Sequence, residues 1–384
     1  MKTSWHYAMP AGYTEWWSRM QIESISPAFN EAVEEYLGKV PSASAMESRE
    51  VVRRALEFAE PPRIPFSSVV PLSGDFCEVR ILELLRADSS KKKRSKGDIY
   101  YDEWGVGLEV TGREWDQATD HPLKDLQTLN KYRFPGITPL ERYDWYWPYL
   151  ERAHEAGKYV VGRDPVMMFE RLRMLCGFEE IMLAPYTHPQ ELRRLVDRLT
   201  EMTIDVVEYW AGTGRVDAFM TIQDWGLQTS LQMEPEMFRR FYKNRYVRVA
   251  AVCHQQGMHY IWHCCGWIMD IISDMIEIGV DAVQLDQPRL MGHRRLAERF
   301  GGKISFWNTV DIQWLTQPGL VLTDEQLQTE VREMIEPFRG FPGGLMLRQY
   351  IAPKTIGISE HALRVLHQAF GDYEKQEKHN SEEL

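Results

Sequence analysis

His263, Cys264 and Cys265 stand in a row within the stretch WHCCGW, residues 262–267. In an extended chain, residues two apart point to the same side, so His263 and Cys265 can address one ion while Cys264 faces away. An imidazole nitrogen beside a thiolate sulfur suits zinc, which activates an ether or a thiol as a Lewis acid. Two protein ligands rarely hold a catalytic ion. Asp224, Asp286 or a glutamate would have to complete the set. A second reading stays open, in which His263 and Cys265 pack and hydrogen-bond a substrate without metal.

Other residues able to do chemistry gather in the same way, at the ends of apolar runs. They are Gln223-Asp224, Asp286-Gln287, Asn308 with Asp311, and Arg348-Gln349-Tyr350. Asp224 can serve as a general acid, a base or a ligand, or it can cap the following helix. Asn308 and Asp311 can position a substrate or make structural hydrogen bonds. Tyr350 can protonate a leaving oxygen or simply stack. Gln223, Asp286, Arg348 and Gln349 are the expected substrate contacts. Thirteen tryptophans is a high number for 384 residues, and Trp225, Trp262, Trp267 and Trp307 lie beside these same run ends. Large aromatics mostly fill cores. Several together at a pocket would suit an aromatic or quaternary-ammonium substrate.

The elements that must position these residues alternate regularly. Continuous apolar runs mark strands at 157–162, 217–223, 259–263, 281–286, 303–308 and 344–348. Between them, apolar residues at steps of three and four mark helices at 189–210, from Pro235, at 267–278, at 293–300, at 323–338 capped by Thr323, and at 359–370. Strands with no polar alternation belong to a parallel sheet covered on both faces. No GxGxxG turn follows the first strand, which disfavours a doubly wound sheet. The reading is α/β, a (β/α)8 TIM barrel. In that fold the C-terminal strand ends converge on one mouth, where active sites sit. The expected division is an N-terminal extension at 1–47, with a short helix around 28–37, then the catalytic barrel at 48–372, then a disordered acidic tail at 373–384. The basic run SSKKKRSKG, residues 89–97, reads as a solvated loop between hairpin strands.

Composition agrees with a globular protein that can bury a large core, at 44% hydrophobic and 26% charged residues. A formal net charge of −11 argues against nucleic-acid binding. No apolar run approaches the roughly 20 residues that span a bilayer, and no signal-peptide core stands near the first residue. Five cysteines without even spacing do not describe a disulfide framework. A cytoplasmic location is expected.

Taken in order, several stretches resemble the uroporphyrinogen decarboxylase superfamily. They include ESREVVRRALEFAEPPRIP, DEWGV, HPLKDLQTLNKYRFP, QDWGLQTSLQMEPEMFRRFYKNRYVRVAAVCHQQG, HCCG, GVDAVQLDQP, FWNTVD and GGLMLRQYIAPKT, over roughly residues 47–370. The resemblance implies a (β/α)8 barrel of that type. Decarboxylase members have an arginine-rich segment after the first strand to bind many carboxylates. Here that segment reads PFSSVVPLSGDFCEVR, with Arg80 its only cation, and the family histidine near the last strand aligns with Gln349. The cobalamin-dependent methyltransferase branch instead carries a zinc-binding His-x-Cys, matched by His263 and Cys265, plus a later cysteine that this sequence lacks. The resemblance thus implies methyl transfer, most simply from an aryl methyl ether to the cobalt of a separate corrinoid-binding protein, and it leaves zinc open as a second cofactor. Three rivals stay open: a zinc-dependent methyltransferase with a thiol acceptor, a decarboxylase of a small non-porphyrin substrate, and a non-catalytic ligand-binding barrel.

Overall fold

Strands buried on both faces need partners on both edges and helices on the outside, and the chain supplies them in alternation. A computed structural model describes residues 46–68, 74–79, 94–112, 116–137, 147–350, 353 and 355–382. The helix expected around 28–37, and all but a few residues of the extension and of the basic run, lie outside these.

The strands in chain order are β1 (Phe66–Ser67), β2 (Phe76–Val79), a small insert of β3 (Ile99–Tyr101), β4 (Gly107–Glu109) and β5 (Gln117–Asp120), then β6 (Tyr159–Arg163), β7 (Ala218–Ile222), β8 (His259–Cys264), β9 (Ala282–Leu285), β10 (Ser305–Thr309) and β11 (Leu345–Arg348). Eight of them form one parallel sheet in the order β1-β11-β10-β9-β8-β7-β6-β2. The sheet curls into a nearly closed barrel. At the seam between β1 and β2, Asp75 N–H donates to the Phe66 carbonyl at 2.8 Å and the Asp75 carboxylate accepts from Phe66 N–H at 2.9 Å. Gly74 is required at this approach, since a Cβ there would lie 2.6 Å from the Phe66 carbonyl oxygen. The insert strands form a separate antiparallel sheet. Its turn is tied to the barrel by a fully buried ion pair, Asp102 to Arg171 at 3.3 Å.

The helices are α1 (Ser48–Leu56), α2 (Trp147–Glu155), α3 (Met168–Cys176), α4 (Phe178–Thr187), α5 (Pro189–Thr213), α6 (Pro235–Phe238), α7 (Asn244–Gln255), α8 (Ile272–Ile278), α9 (His293–Phe300), α10 (Ile312–Leu315), α11 (Asp324–Ile335) and α12 (Glu360–Glu382). Strand parity sorts the core into two parts. Phe76, Tyr159, Val161, Ala218, Met220, Ile261, Ala282, Trp307 and Met346 point inward and fill the barrel, plugged from below by Val52, Ala55 and Leu56 of α1. Alternate residues such as Phe219, Tyr260, Trp262, Val283 and Phe306 point outward and pack under the helices.

Four local expectations differ from what is found. The helix expected over 267–278 starts only at Ile272, because Gly266 turns the chain at φ +79° and Trp267 N–H donates to the Leu227 carbonyl. The helix from Pro235 contains a π-turn at Arg239–Lys243, where Arg239 and Lys243 both reach Asp274. Helices α3 and α4 fill the stretch after β6, for which no element was expected. The tail expected to be disordered continues α12 as far as Glu382, in keeping with the good helix formers Glu, Lys and Gln there. The Thr323 cap is present as a full capping box with Gln326.

Candidate functional site

On β8, Ile261 and His263 share the inward parity, while Tyr260, Trp262 and Cys264 face the helices. The strand ends at Cys264, and Cys265 turns back toward the mouth ahead of Gly266. On the neighbouring β7, the chain leaves the sheet after Ile222 and brings Asp224 alongside. Cys265 N–H donates to Asp224 Oδ1 at 2.9 Å. Cys265 Sγ lies 3.5 Å from His263 Nε2, and that nitrogen lies 3.6 Å from Asp224 Oδ1. One oxygen, one nitrogen and one sulfur thus fall within 4.8 Å of one another.

Two glycines set this spacing. A Cβ on Gly226 would sit 2.5 Å from the Cys265 carbonyl oxygen, and one on Gly266 would sit 2.5 Å from the Gly226 carbonyl carbon. The loops after β7 and β8 therefore meet backbone to backbone, and no other residue allows that approach. Gly266 N–H is held by Gln287 Oε1 at 2.7 Å.

Beneath the three groups lies a connected polar layer made by inward-facing residues of the strand ends. Arg348 donates to Gln284 Oε1 at 2.7 Å and to Glu78 Oε1 at 2.6 Å. Arg163 donates to the other oxygen of Glu78 at 3.3 Å. Gln284 Nε2 donates to Asp286 Oδ1 at 2.8 Å, and Thr309 Oγ1 donates to the same oxygen at 2.7 Å. His263 Nδ1 meets Gln284 Oε1. Burial opposes the charge on Asp286, but His263, Arg348 and the two hydrogen bonds outweigh it and hold the carboxyl below its usual range. Burial pushes the Cys265 thiol well up, and the Asp224 and Asp286 carboxylates push it further. Glu170, near the start of α3, is pushed up by burial and then by the Asp224 carboxylate.

The other expected site residues do not all reach this centre. Asp286 and Arg348 do, within the polar layer. Trp307 points inward but is fully buried as the floor, stacked on Phe76 at 4.4 Å with the Arg348 guanidinium 5.1 Å above it. Trp225 and Trp262 belong to the helix side, Trp225 stacked on Phe169 at 3.8 Å and Trp262 against Tyr246 at 4.4 Å. Gln223 is also behind the sheet, where its amide oxygen accepts from Phe169 N–H at 2.7 Å and from the Tyr246 hydroxyl at 2.9 Å. Asn308 is fully buried and carries the outward parity of Phe306. Asp311 is a helix cap, accepting from Gln313 and Trp314 N–H at 3.0 Å each. Gln349 accepts from the Ser68 hydroxyl at 3.4 Å, and Tyr350 packs against the Ile358 and Leu363 cluster. Sequence reasoning missed Glu78, Arg163, Gln284, Thr309 and Glu170. Counting strand parity outward from His263 would have found Gln284 and Thr309.

Comparison with known proteins bears on the barrel. Residues 168–352 match the family model described as Uroporphyrinogen decarboxylase (URO-D). No curated protein matches the chain significantly. Among solved structures, a methyltransferase from Methanosarcina mazei superposes with a TM-score of 0.62 at 15% identity, over 85% of this chain and 99% of that one. A D-psicose 3-epimerase from Clostridium cellulolyticum H10 is far less similar, with a TM-score of 0.37 at 10% identity over 65% of this chain and 86% of that one. These likenesses concern the fold.

Proposed function

We propose that this chain, whose residues 168–352 match the uroporphyrinogen decarboxylase family model, is a methyltransferase that passes the methyl group of a small aryl methyl ether to the cobalt of a separate corrinoid protein. The observation that carries the reading is the convergence of Asp224, His263 and Cys265 at the mouth. His263 and Cys265 are the two ligands the sequence suggested, and the Asp224 carboxylate lies close enough to serve as a third. Three protein donors of mixed type with one side left open is the pattern of a catalytic rather than a structural zinc site.

The donor set fits zinc, with His263 Nε2, Cys265 Sγ and an Asp224 oxygen as the groups that would hold it. When bound, zinc supplies Lewis-acid polarisation of the ether oxygen, which makes the phenolate a better leaving group. The chain's own residues do the rest. Trp307 and the apolar barrel filling close the site from below. Arg348 and Arg163 are both engaged with Glu78, which supports a small donor rather than a polycarboxylate such as a porphyrinogen. Trp225, Trp262 and Trp307 are buried, and Trp267 is partly exposed with its indole N–H on Asp270, so an aromatic donor would be recognised by its polar groups more than by an aromatic cage.

The same triad also favours a second reading, zinc-dependent transfer to a thiol acceptor. One experiment separates the two. Zinc-loaded protein is given a panel of methoxyaromatics together with either cob(I)alamin or a thiol. Loss of cob(I)alamin absorbance with release of the phenol is the expected result. Methylation of the thiol with no cobalamin present would replace the first reading with the second, and inactivity in both arms would reject both.

A further inference from the structure

Gln284 is fully buried and sits opposite His263 in the register of the β8–β9 pair. The orientation of its amide is fixed by two partners of opposite kind. The Arg348 guanidinium can only donate, so the amide atom 2.7 Å from Arg348 Nη1 is the oxygen. Asp286 Oδ1 is an acceptor, taking the Thr309 hydroxyl at 2.7 Å, so the atom 2.8 Å from it is the amide nitrogen. A flip of the amide would set donor against donor at one end and acceptor against acceptor at the other.

That orientation decides the proton on His263. Gln284 Oε1 has no hydrogen to give, so the contact between it and His263 Nδ1 requires the proton on Nδ1. In a neutral imidazole the lone pair is then on Nε2, the nitrogen that faces Cys265 Sγ at 3.5 Å and Asp224 Oδ1 at 3.6 Å. The thiol can donate to that lone pair when no ion is present, so the arrangement is self-consistent in the free protein. We infer that Gln284 is the positioning residue of the centre: its amide oxygen, aligned by Arg348, locks His263 in the Nδ1–H tautomer and presents Nε2 as the ligand atom.

Through Gln284, the chain of bonds runs from Glu78 on β2 and Arg348 on β11 to His263 on β8, so distant strands of the barrel share in aiming one ring. A role as ligand to the ion rests on the reading of Asp224, His263 and Cys265 as a metal centre. The tautomer does not.

Long-range proton–nitrogen NMR of the metal-free protein tests this directly, at pH ~8 where an ordinary histidine is neutral. The His263 signal is assigned by its disappearance in His263→Asn. Wild type should show the Nδ1–H form. Gln284→Leu should lose that preference and bind Co2+ roughly 10- to 100-fold more weakly, the usual cost of removing such an outer partner. Gln284→Glu combined with Asp286→Asn keeps an acceptor for Arg348 and His263 and a donor across from it at position 286, and should keep the tautomer and most of the Co2+ affinity. An Nε2–H form in wild type would overturn the inference, even if neither variant folds. So would a Gln284→Leu protein with unchanged tautomer and Co2+ affinity. An Nδ1–H form in a wild-type protein that binds no Co2+ would uphold the positioning role and reject the metal centre of the proposed function.

Discussion

Cys264 and Cys265 are neighbours, yet register gives them opposite surroundings. Cys264 is fully buried on the helix side, where its Sγ accepts from Trp225 N–H at 3.3 Å. Cys265 faces Asp224 and His263. Cys264→Ser places a hydroxyl in a tightly packed apolar layer and is expected to cost about 1–3 kcal/mol of stability, with Co2+ binding retained. Cys265→Ser should leave the melting temperature nearly unchanged and abolish the sulfur-to-cobalt charge-transfer band. Equal effects of the two substitutions on both measurements would contradict the facing assignment. At this scale the sequence was readable where period two applied, since His263 and Cys265 could be paired by counting. It was unreadable where two loops meet. Nothing local in QDWG says that Asp224 will lie against Cys265, because a close approach of Gly226 and Gly266 makes that contact. Nor could polarity at a strand end distinguish Asp286, which faces the site, from Asp311, which caps a helix one turn long.

Elements with strong periodicity, such as α5, α9 and α11, are found where the sequence places them. Those that differ are governed by contacts from elsewhere: Asp274 at the π-turn, Leu227 at the late start of α8, and the barrel end that carries α3. The start of α3 also holds Met167 at φ +51°, two residues before Phe169, whose N–H donates to Gln223 Oε1. The closing helix α12 packs His367 edge-on to Phe66 at 5.2 Å, 6% exposed. Burial lowers this histidine to about 4, below the ordinary 6.5. The sign follows from linkage: the unfolded chain takes up the proton first, so the stability from neutral His367 is full above pH 6.5 and is lost as pH falls through about 4. Melting curves at pH 7 and near pH 4 should show wild type losing about 2–3 kcal/mol more than His367→Leu. An identical loss in both would show that the ring is not held neutral by its packing on β1.

At the scale of the whole chain, the alternation of buried runs and helical periods was enough to read the barrel. Among the described residues, no helix is long and apolar enough to cross a membrane. What the linear pattern could not show is that Asp224, just past β7, comes up against His263 and Cys265 of β8, which needs the pairing of these two strands and the meeting of the loops that follow them. Among the described residues, Asp224, His263 and Cys265 are the one group of three histidines, cysteines or carboxylates whose ligand atoms come so close. The central claim is that these three residues hold one ion, and counting zinc per chain tests it most directly. Protein purified from zinc-supplied cells and freed of loosely bound metal should carry about one ion per chain in wild type, and almost none in folded Asp224→Ala or Cys265→Ser. A metal-free wild type, or variants that keep the full complement of zinc, would contradict the account.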